Sequence, residues 1–285
     1  MPDVTGAYLR PETLDAALDV LASGDVTVAA GCTDLFPATE RRELPGRVLD
    51  ITGIQELSGI SVEEGGLRLG AATSWTAILR ADLPPALRAL QLAAREVGAM
   101  QIQNRGTLAG NLCNASPAAD GVPPLLVVDA EVELRSISGT RRLPLADFLT
   151  GPRRTARRSD ELLTAIFIPQ TALAGNSYFL KLGARSYLVI SIAMTAARMV
   201  IEDGIVTDAA LAVGACGPVA TRLPEVERAL VGHPLRADAI TDAAVARTLS
   251  PIDDVRADAG YRSRSAAELL RRTVKALVTP SERAA

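Results

Sequence analysis

Residues 103–120 read QNRGTLAGNLCNASPAAD, with two glycines, three asparagines, two hydroxyl residues and a closing aspartate, and almost no bulky side chain. A stretch so small and polar inside a chain that is 48% hydrophobic cannot stabilise itself by burying apolar surface. Its polar groups must find partners in the rest of the fold or in a ligand. The apolar content and 285-residue length allow two or three compact units with real cores. A formal net charge of −3 and only 3% aromatic residues give neither a basic field nor stacking platforms for nucleic acid.

No basic start or apolar stretch at the amino terminus suggests a secretory leader, and the longest apolar run, around SYLVISIAMTAA, is too short to span a bilayer. A cytoplasmic protein without a membrane span is expected. Cys32, Cys113 and Cys216 are too few and too scattered for a disulfide framework, a metal knuckle or a four-thiolate iron–sulfur cluster. Any metal chemistry therefore belongs elsewhere.

Hydrophobic spacing divides the chain into three units. In the first, PETLDAALDVLAS reads as a helix, DVTVAA as a strand, CTDLFPATERREL as a turn entering a helix, and GRVLDI as a further strand. The second contains the strands LSGISV, GLRLGAA, AEVELRS and ELLTAIFI, with helices in TSWTAILR (capped by Thr73 or Ser74), PPALRALQLAAREV and PPLLVV, and residues 103–120 as a loop. In the third, SYFLKLG, VISIAMTAARMV and IVTDAALAVGAC are strands, the last two joined by a tight EDG turn, and three amphipathic helices follow.

Two glycine-bearing turns carry the chemistry, AAGCTDL after a strand and GTLAGN inside the bare stretch. Glycine frees successive amides to point at one anion, and Thr33 and Thr107 add hydroxyls. A single such turn also reads as a strand-to-helix connector, and the second as a surface loop in which Asn111 and Asn114 bond their own backbone. Two of them in different units suit a pyrophosphate held in the crevice between. Neither GxGxxG, GxxxxGK[ST] nor GxSxG occurs, and the lone His233, in VGHPL, reads as a turn residue. Without an evident acid, base or nucleophile, a reactive group is expected as a bound cofactor that the protein holds and tunes, rather than as one of its own side chains.

AAGCTDLFP, NRGTLAGNLCNASPAADGVPPLLVVDAEVEL, ELLTAIFIP and FLKLGAR, in this order and spacing, resemble the FAD-binding medium subunit of molybdenum hydroxylases of the carbon monoxide dehydrogenase and xanthine dehydrogenase type, over nearly the whole chain. The resemblance implies an α+β fold: a two-subdomain FAD-binding domain of the vanillyl-alcohol-oxidase-like (PCMH) type, residues 1–55 and 56–173, and a small domain of three antiparallel strands and helices, residues 174–285. It further implies that Ala29, Ala30, Gly31, Cys32, Thr33 and Asp34 wrap one side of the FAD pyrophosphate, and Thr107, Leu108, Ala109, Gly110 and Asn111 the other. Asp120 would accept hydrogen bonds from the cofactor, Leu163 would form an apolar wall, and Lys181 would be a base near the flavin end, with Arg185 also able to face the ring.

By the same resemblance FAD is held non-covalently. A large subunit carries the molybdopterin, a small subunit the iron–sulfur clusters, and the assembly is a dimer of heterotrimers. The chain would take electrons from the clusters and pass them to an external acceptor. Two departures stand out. Ala109 replaces the first of two adjacent glycines in most relatives, and SYLVIS after Arg185 lacks the acid that xanthine-dehydrogenase-like members place near the flavin, which speaks against NAD as acceptor. The run Arg153–Arg158 could border a partner-facing surface or be a solvated loop. A stand-alone flavin oxidoreductase of the same fold and a non-redox nucleotide-binding scaffold are the alternatives.

Overall fold

The first unit of the chain is a parallel ribbon under one helix. This computed structural model describes residues 7–40, 44 and 46–278. Strand β1 (Tyr8–Leu9), helix α1 (Leu14–Ala22), β2 (Val26–Ala29) and β3 (Arg47–Asp50) follow in order, and both β1 and β2 pair in parallel with β3. Thr13 Oγ1 accepts the Ala16 amide to cap α1, and Leu14, Ala17, Leu18 and Leu21, one helical face, are buried against Leu49, Ile51 and Ile54. The helix expected between β2 and β3 is not found among the described residues, where positions 31–40 form turns and open backbone. Residues 41–43 and 45 of that expectation lie outside the described residues.

The second unit holds a five-stranded antiparallel sheet of β4 (Ile60–Glu63), β5 (Gly66–Gly70), β6 (Glu131–Ser136), β7 (Gly139–Pro144) and β10 (Leu162–Pro169), ordered β4-β5-β10-β6-β7. Between β5 and β6 come α2 (Trp75–Arg80), α3 (Arg88–Glu96), α4 (Met100–Arg105), α5 (Leu108–Asn114) and α6 (Val122–Leu126). Between β7 and β10 come α7 (Leu145–Phe148) and a small hairpin of β8 (Leu149–Gly151) and β9 (Arg154–Thr155). The cap of α2 is Ser74, which accepts the Ala77 amide, whereas Thr73 is buried and tied to Gly59. β10 arrives last in sequence yet lies at the centre, so it reads as a nearly unbroken apolar run, buried on both faces.

The third unit is an antiparallel sheet of β11 (Asn176–Leu182), β12 (Ala193–Glu202), β13 (Ile205–Gly214) and a short β14 (Thr221–Arg222), followed by α8 (Pro224–Leu230), α9 (Asp242–Ala246) and α10 (Ala259–Val278). The expected three strands gain a fourth, only two residues long. The β12–β13 turn falls on Asp203 and Gly204, both at positive φ. Along β12 and β13 the side chains alternate between two cores. Met194, Ala196, Ala210 and Ala212 join the core of the second unit, and Ala193, Ala197, Met199, Leu211 and Val213 the core under the terminal helices. Alanines on the first face let α3 and α6 lie close against the sheet. Arg198, 3% exposed, donates from Nε to the Val127 carbonyl and pairs with Asp208 at 2.6 Å. Arg222 reaches the Leu126 carbonyl and Asp129. Both cations thus meet carbonyls at the end of α6, where helix backbone lacks internal donors, and join the third unit to the second.

Candidate functional site

The bare stretch is not a loop. Most of it lies in α4 and α5, with Thr107 Oγ1 accepting the Gly110 amide as the cap of α5. Short polar residues suit this because α5 starts against the segment that joins β5 to α2: the Leu108 and Ala109 amides donate to the Thr73 and Ala71 carbonyls, and the Trp75 amide, at the start of α2, to the Gly106 carbonyl. The Asn111 amide returns to Thr107 O. The amides of Leu108, Ala109, Gly110 and Asn111 are therefore engaged within the protein, and none of these residues has positive φ. GTLAGN is a capped helix start, not the anion nest expected of it.

The first motif differs. After β2 the chain bends through Ala30–Asp34 with Cys32 at φ 60°, so the left-handed residue is the cysteine and not the neighbouring glycine. Gly31 is required for another reason. A Cβ there would lie 1.9 Å from the Arg105 carbonyl oxygen and 2.9 Å from the Gly106 Cα, so the bend is seated directly on the end of α4. Gly106 is hemmed in turn by Trp75 and the Thr33 hydroxyl. The two motifs meet across the boundary between the first and second units. Among the described residues, the amides of Gly31, Cys32, Thr33 and Asp34 donate to no protein acceptor.

Where the motifs meet lies a cleft of about 1120 Å³. It is lined by Ala30, Gly31, Cys32, Thr33 and Asp34 from one side and Thr107, Ala109, Gly110 and Asn111 from the other, with Asp120, Leu163 and Lys181 further along. Ala29 and Leu108 do not line it: Ala29 ends β2 at 3% exposure, and Leu108 is fully buried in the core of the second unit. Ala109 is 5% exposed, so its methyl leaves little relief on the cleft surface. Leu163 enters at the point where the pairing of β10 with β6 shifts register, an irregularity that re-aims side chains.

Asn111 Oδ1 is buried without a hydrogen-bond partner, against Gly121 and Trp75. An acceptor so placed calls for a donor from a ligand. Asp120 has two partners: Lys181 Nζ donates to Oδ2 at 2.7 Å and Ser191 Oγ to Oδ1 at 2.6 Å. Burial pushes the Asp120 carboxyl upward against the pull of Lys181 and Ser191. The group joins the second unit to the third at the cleft, and removing one member of so buried a pair costs about 3 kcal/mol. Arg185 is turned onto the Leu188 carbonyl and does not line the cleft, whereas Leu188, Val189 and Ile190 beyond it do.

Cys32 and Cys113 both line the cleft. Desolvation raises the Cys32 thiol, and the surroundings push Cys113 up to about 11, so neither is a thiolate at neutral pH. Cys216 is buried and pushed up to about 12. His233 sits in the turn before a bridge to Ile205, its carbonyl accepting the Val206 amide. No group of His, Cys, Asp and Glu that could hold a metal occurs among the described residues. Sequence reasoning missed Trp75, a buried ring in the cleft wall, and the Glu96–Ala99 segment, because nothing local marks either as facing a ligand.

Residues 3–171, more than half of the chain, match the family model described as the FAD binding domain in molybdopterin dehydrogenase. Residues 178–277 match the CO dehydrogenase flavoprotein C-terminal domain. The chain is 37% identical over 237 residues to the nicotinate dehydrogenase FAD-subunit of Eubacterium barkeri, covering 80% of each. It is 32% identical to the glyceraldehyde dehydrogenase medium chain of Sulfolobus acidocaldarius, covering 90% of this chain and 92% of the other. Among solved structures, a chain of the reconstituted CO dehydrogenase from Oligotropha carboxidovorans superposes with a TM-score of 0.89 at 27% identity, over 97% of this chain and 99% of that one.

The protein is therefore a two-part flavoprotein subunit, an FAD-binding domain followed by a CO dehydrogenase flavoprotein C-terminal domain. It belongs to the family of FAD-binding subunits of molybdenum hydroxylases, a family of oxidoreductases. The cleft fits FAD on its own chemistry. Undonated amides at Gly31–Asp34 suit phosphate oxygens, the orphaned Asn111 Oδ1 suits a hydroxyl or ring N–H, and Trp75 and Leu163 give apolar wall.

Proposed function

We propose that this chain is the electron-transfer subunit of a molybdenum-containing hydroxylase or dehydrogenase complex, taking electrons from iron–sulfur clusters of a small partner subunit and passing them to an external acceptor. The observation that carries this reading is the meeting of two sequence-distant motifs on one cleft, one with free amides and the other with an unpartnered buried acceptor. FAD, when bound, supplies a two-electron store that can be filled one electron at a time.

The chain's own residues bind and orient it. Gly31, Cys32, Thr33 and Asp34 offer amides to the pyrophosphate, and Thr107 and Asn111 offer side-chain groups from the opposite wall. Ala29 and Leu108 act only by holding the adjoining backbone, since both side chains face cores. Ala30, Ala109 and Gly110 keep the cleft wall low, and Leu163 flanks the cofactor. Asp120 and Lys181, held together by their ion pair, fix the flavin end against the third unit.

A large subunit holding the molybdopterin and a small subunit holding the clusters complete the reading, in a dimer of heterotrimers placed in the cytoplasm, with FAD held non-covalently. Residues 1–55 and 56–173 form the two FAD-binding subdomains, and 174–285 the carboxyl-terminal domain. No helix among the described residues is long and apolar enough to cross a membrane. The visible spectrum of purified protein reconstituted with FAD tests the core of the reading. Bound-flavin absorbance that bleaches when a reduced iron–sulfur partner is added supports it; protein that takes up no FAD overturns it.

A further inference from the structure

Six charged residues line the cleft: Asp34, Glu96, Asp120, Arg153, Arg157 and Lys181. Lys181 is consumed by Asp120. Neither Arg153 nor Arg157 forms an ion pair with a carboxylate among the described residues, so they are the uncompensated cations of a cleft that otherwise carries acids. A diphosphate brings about two negative charges into this space, and free amides alone offset them only in part.

Both arginines are held in place. The hairpin of β8 and β9 turns at Arg153, whose φ of 58° lies in the left-handed region that glycine or asparagine usually occupies. Its amide donates to the Ala115 carbonyl at 2.8 Å, and Nη1 reaches the Asn114 carbonyl and side chain at the end of α5. Arg157 donates through Nη1 to the Glu161 carbonyl at 2.6 Å and the Arg158 carbonyl at 3.1 Å. Glu161, 3% exposed, is itself fixed by a two-point contact with Arg141 at 2.6 and 2.9 Å and by the Arg158 amide at 2.7 Å. On each arginine one nitrogen anchors the side chain, while Nε and Nη2 have no acceptor among the described residues. A planar guanidinium anchored at one corner and open at the other is pre-arranged for phosphate oxygens.

We propose that Arg153 and Arg157 bind the diphosphate of FAD, supplying the positive charge that the two glycine-bearing motifs lack. This rests on the cleft being the FAD site. The hairpin then becomes a third wall of the cofactor site, contributed from a charge run that the sequence presents as an ordinary solvated loop.

The test titrates the full-length apoprotein, by flavin fluorescence, with FAD and with riboflavin, which has the same ring but no phosphate. The variants are R153Q/R157Q, R157Q and R157K. The double variant is expected to weaken FAD binding roughly tenfold or more, as for lost charge-assisted hydrogen bonds, and to leave riboflavin binding unchanged. R157K, which keeps the charge, is expected to lose less than Arg157→Gln. Equal FAD affinity in wild type and double variant overturns the proposal while leaving FAD binding by the chain intact. So does an equal loss of FAD and riboflavin, or a loss in R157K as large as in Arg157→Gln. A defect seen only in assembly with the iron–sulfur subunit would place the arginines on a partner-facing surface and also overturn it. Wild-type protein that binds no FAD sinks instead the functional reading on which the proposal rests.

Discussion

The bend at Ala30–Asp34 and the segment from Thr107 to Asn111 look alike in sequence, each a glycine among small residues beside a threonine, yet they are opposite in physical state. The first has no regular structure, a non-glycine residue at positive φ and a run of undonated amides. The second is a capped helix start whose amides are all engaged after Thr107. Its glycine, Gly110, has a would-be Cβ 2.8 Å from the capping hydroxyl, so it protects a helix cap, while Gly31 protects a contact between units. Small residues thus report crowding of the backbone, and whether that crowding serves a ligand depends on where the amides go.

Amide hydrogen exchange should divide the two segments most sharply. In apoprotein the amides of Gly31–Asp34 are expected to exchange on the order of a hundredfold faster than those of Leu108–Asn111, which corresponds to an opening free energy of only about 3 kcal/mol. Saturation with FAD should slow the first set and barely alter the second; equal protection of both in apoprotein would erase the contrast. Next in size, Gly31→Ala should destabilise the protein by about 2 kcal/mol in urea unfolding, because the methyl meets a backbone carbonyl that cannot swing aside. It should lower FAD affinity as well, since the bend lifts off α4. An unchanged urea midpoint would show that Gly31 serves the ligand rather than the contact.

Thr107→Val should cost about 1 kcal/mol in the same measurement, the worth of a lost helix cap, with the first bend unaffected. A larger loss of FAD affinity than of stability would instead make the Thr107 hydroxyl chiefly a ligand group. Smallest, Cys32→Gly should raise stability by about 0.5 kcal/mol, read as a higher thermal midpoint, since glycine relieves the left-handed strain at some loss of unfolded-state restriction. A lowered midpoint would mean that thiol packing outweighs the strain.

Much of the fold was legible along the chain. Apolar periodicity gives α1, α3, α8 and α10, the strands β2, β3, β5, β6 and β10–β13, and the turn at Asp203–Gly204, because each is a local pattern stabilised by one buried face. Other elements were not readable. β7, with sequence GTRRLP, is a polar edge strand whose side chains bond β6 and Glu161, so its pairing and not its hydrophobicity defines it. Helix α5 is hidden because glycine and asparagine are poor helix formers, and only the Thr73 and Ala71 carbonyls ahead of α2 and the Thr107 cap make it favourable. Arg198, which follows an apolar run, is buried because the end of α6 arrives with free carbonyls.

The residue order by itself determined which backbone would be bare and where strands and helices would alternate, since these follow from side-chain size and period. Only the tertiary structure decided that Gly31 rests on Arg105, that β10 inserts between β5 and β6, that Asp120 meets Lys181 and Ser191, and that two arginines of a surface-like run face the cleft. These are contacts between residues tens of positions apart, and no local preference encodes which distant carbonyl, carboxylate or strand edge will be opposite when the cores close.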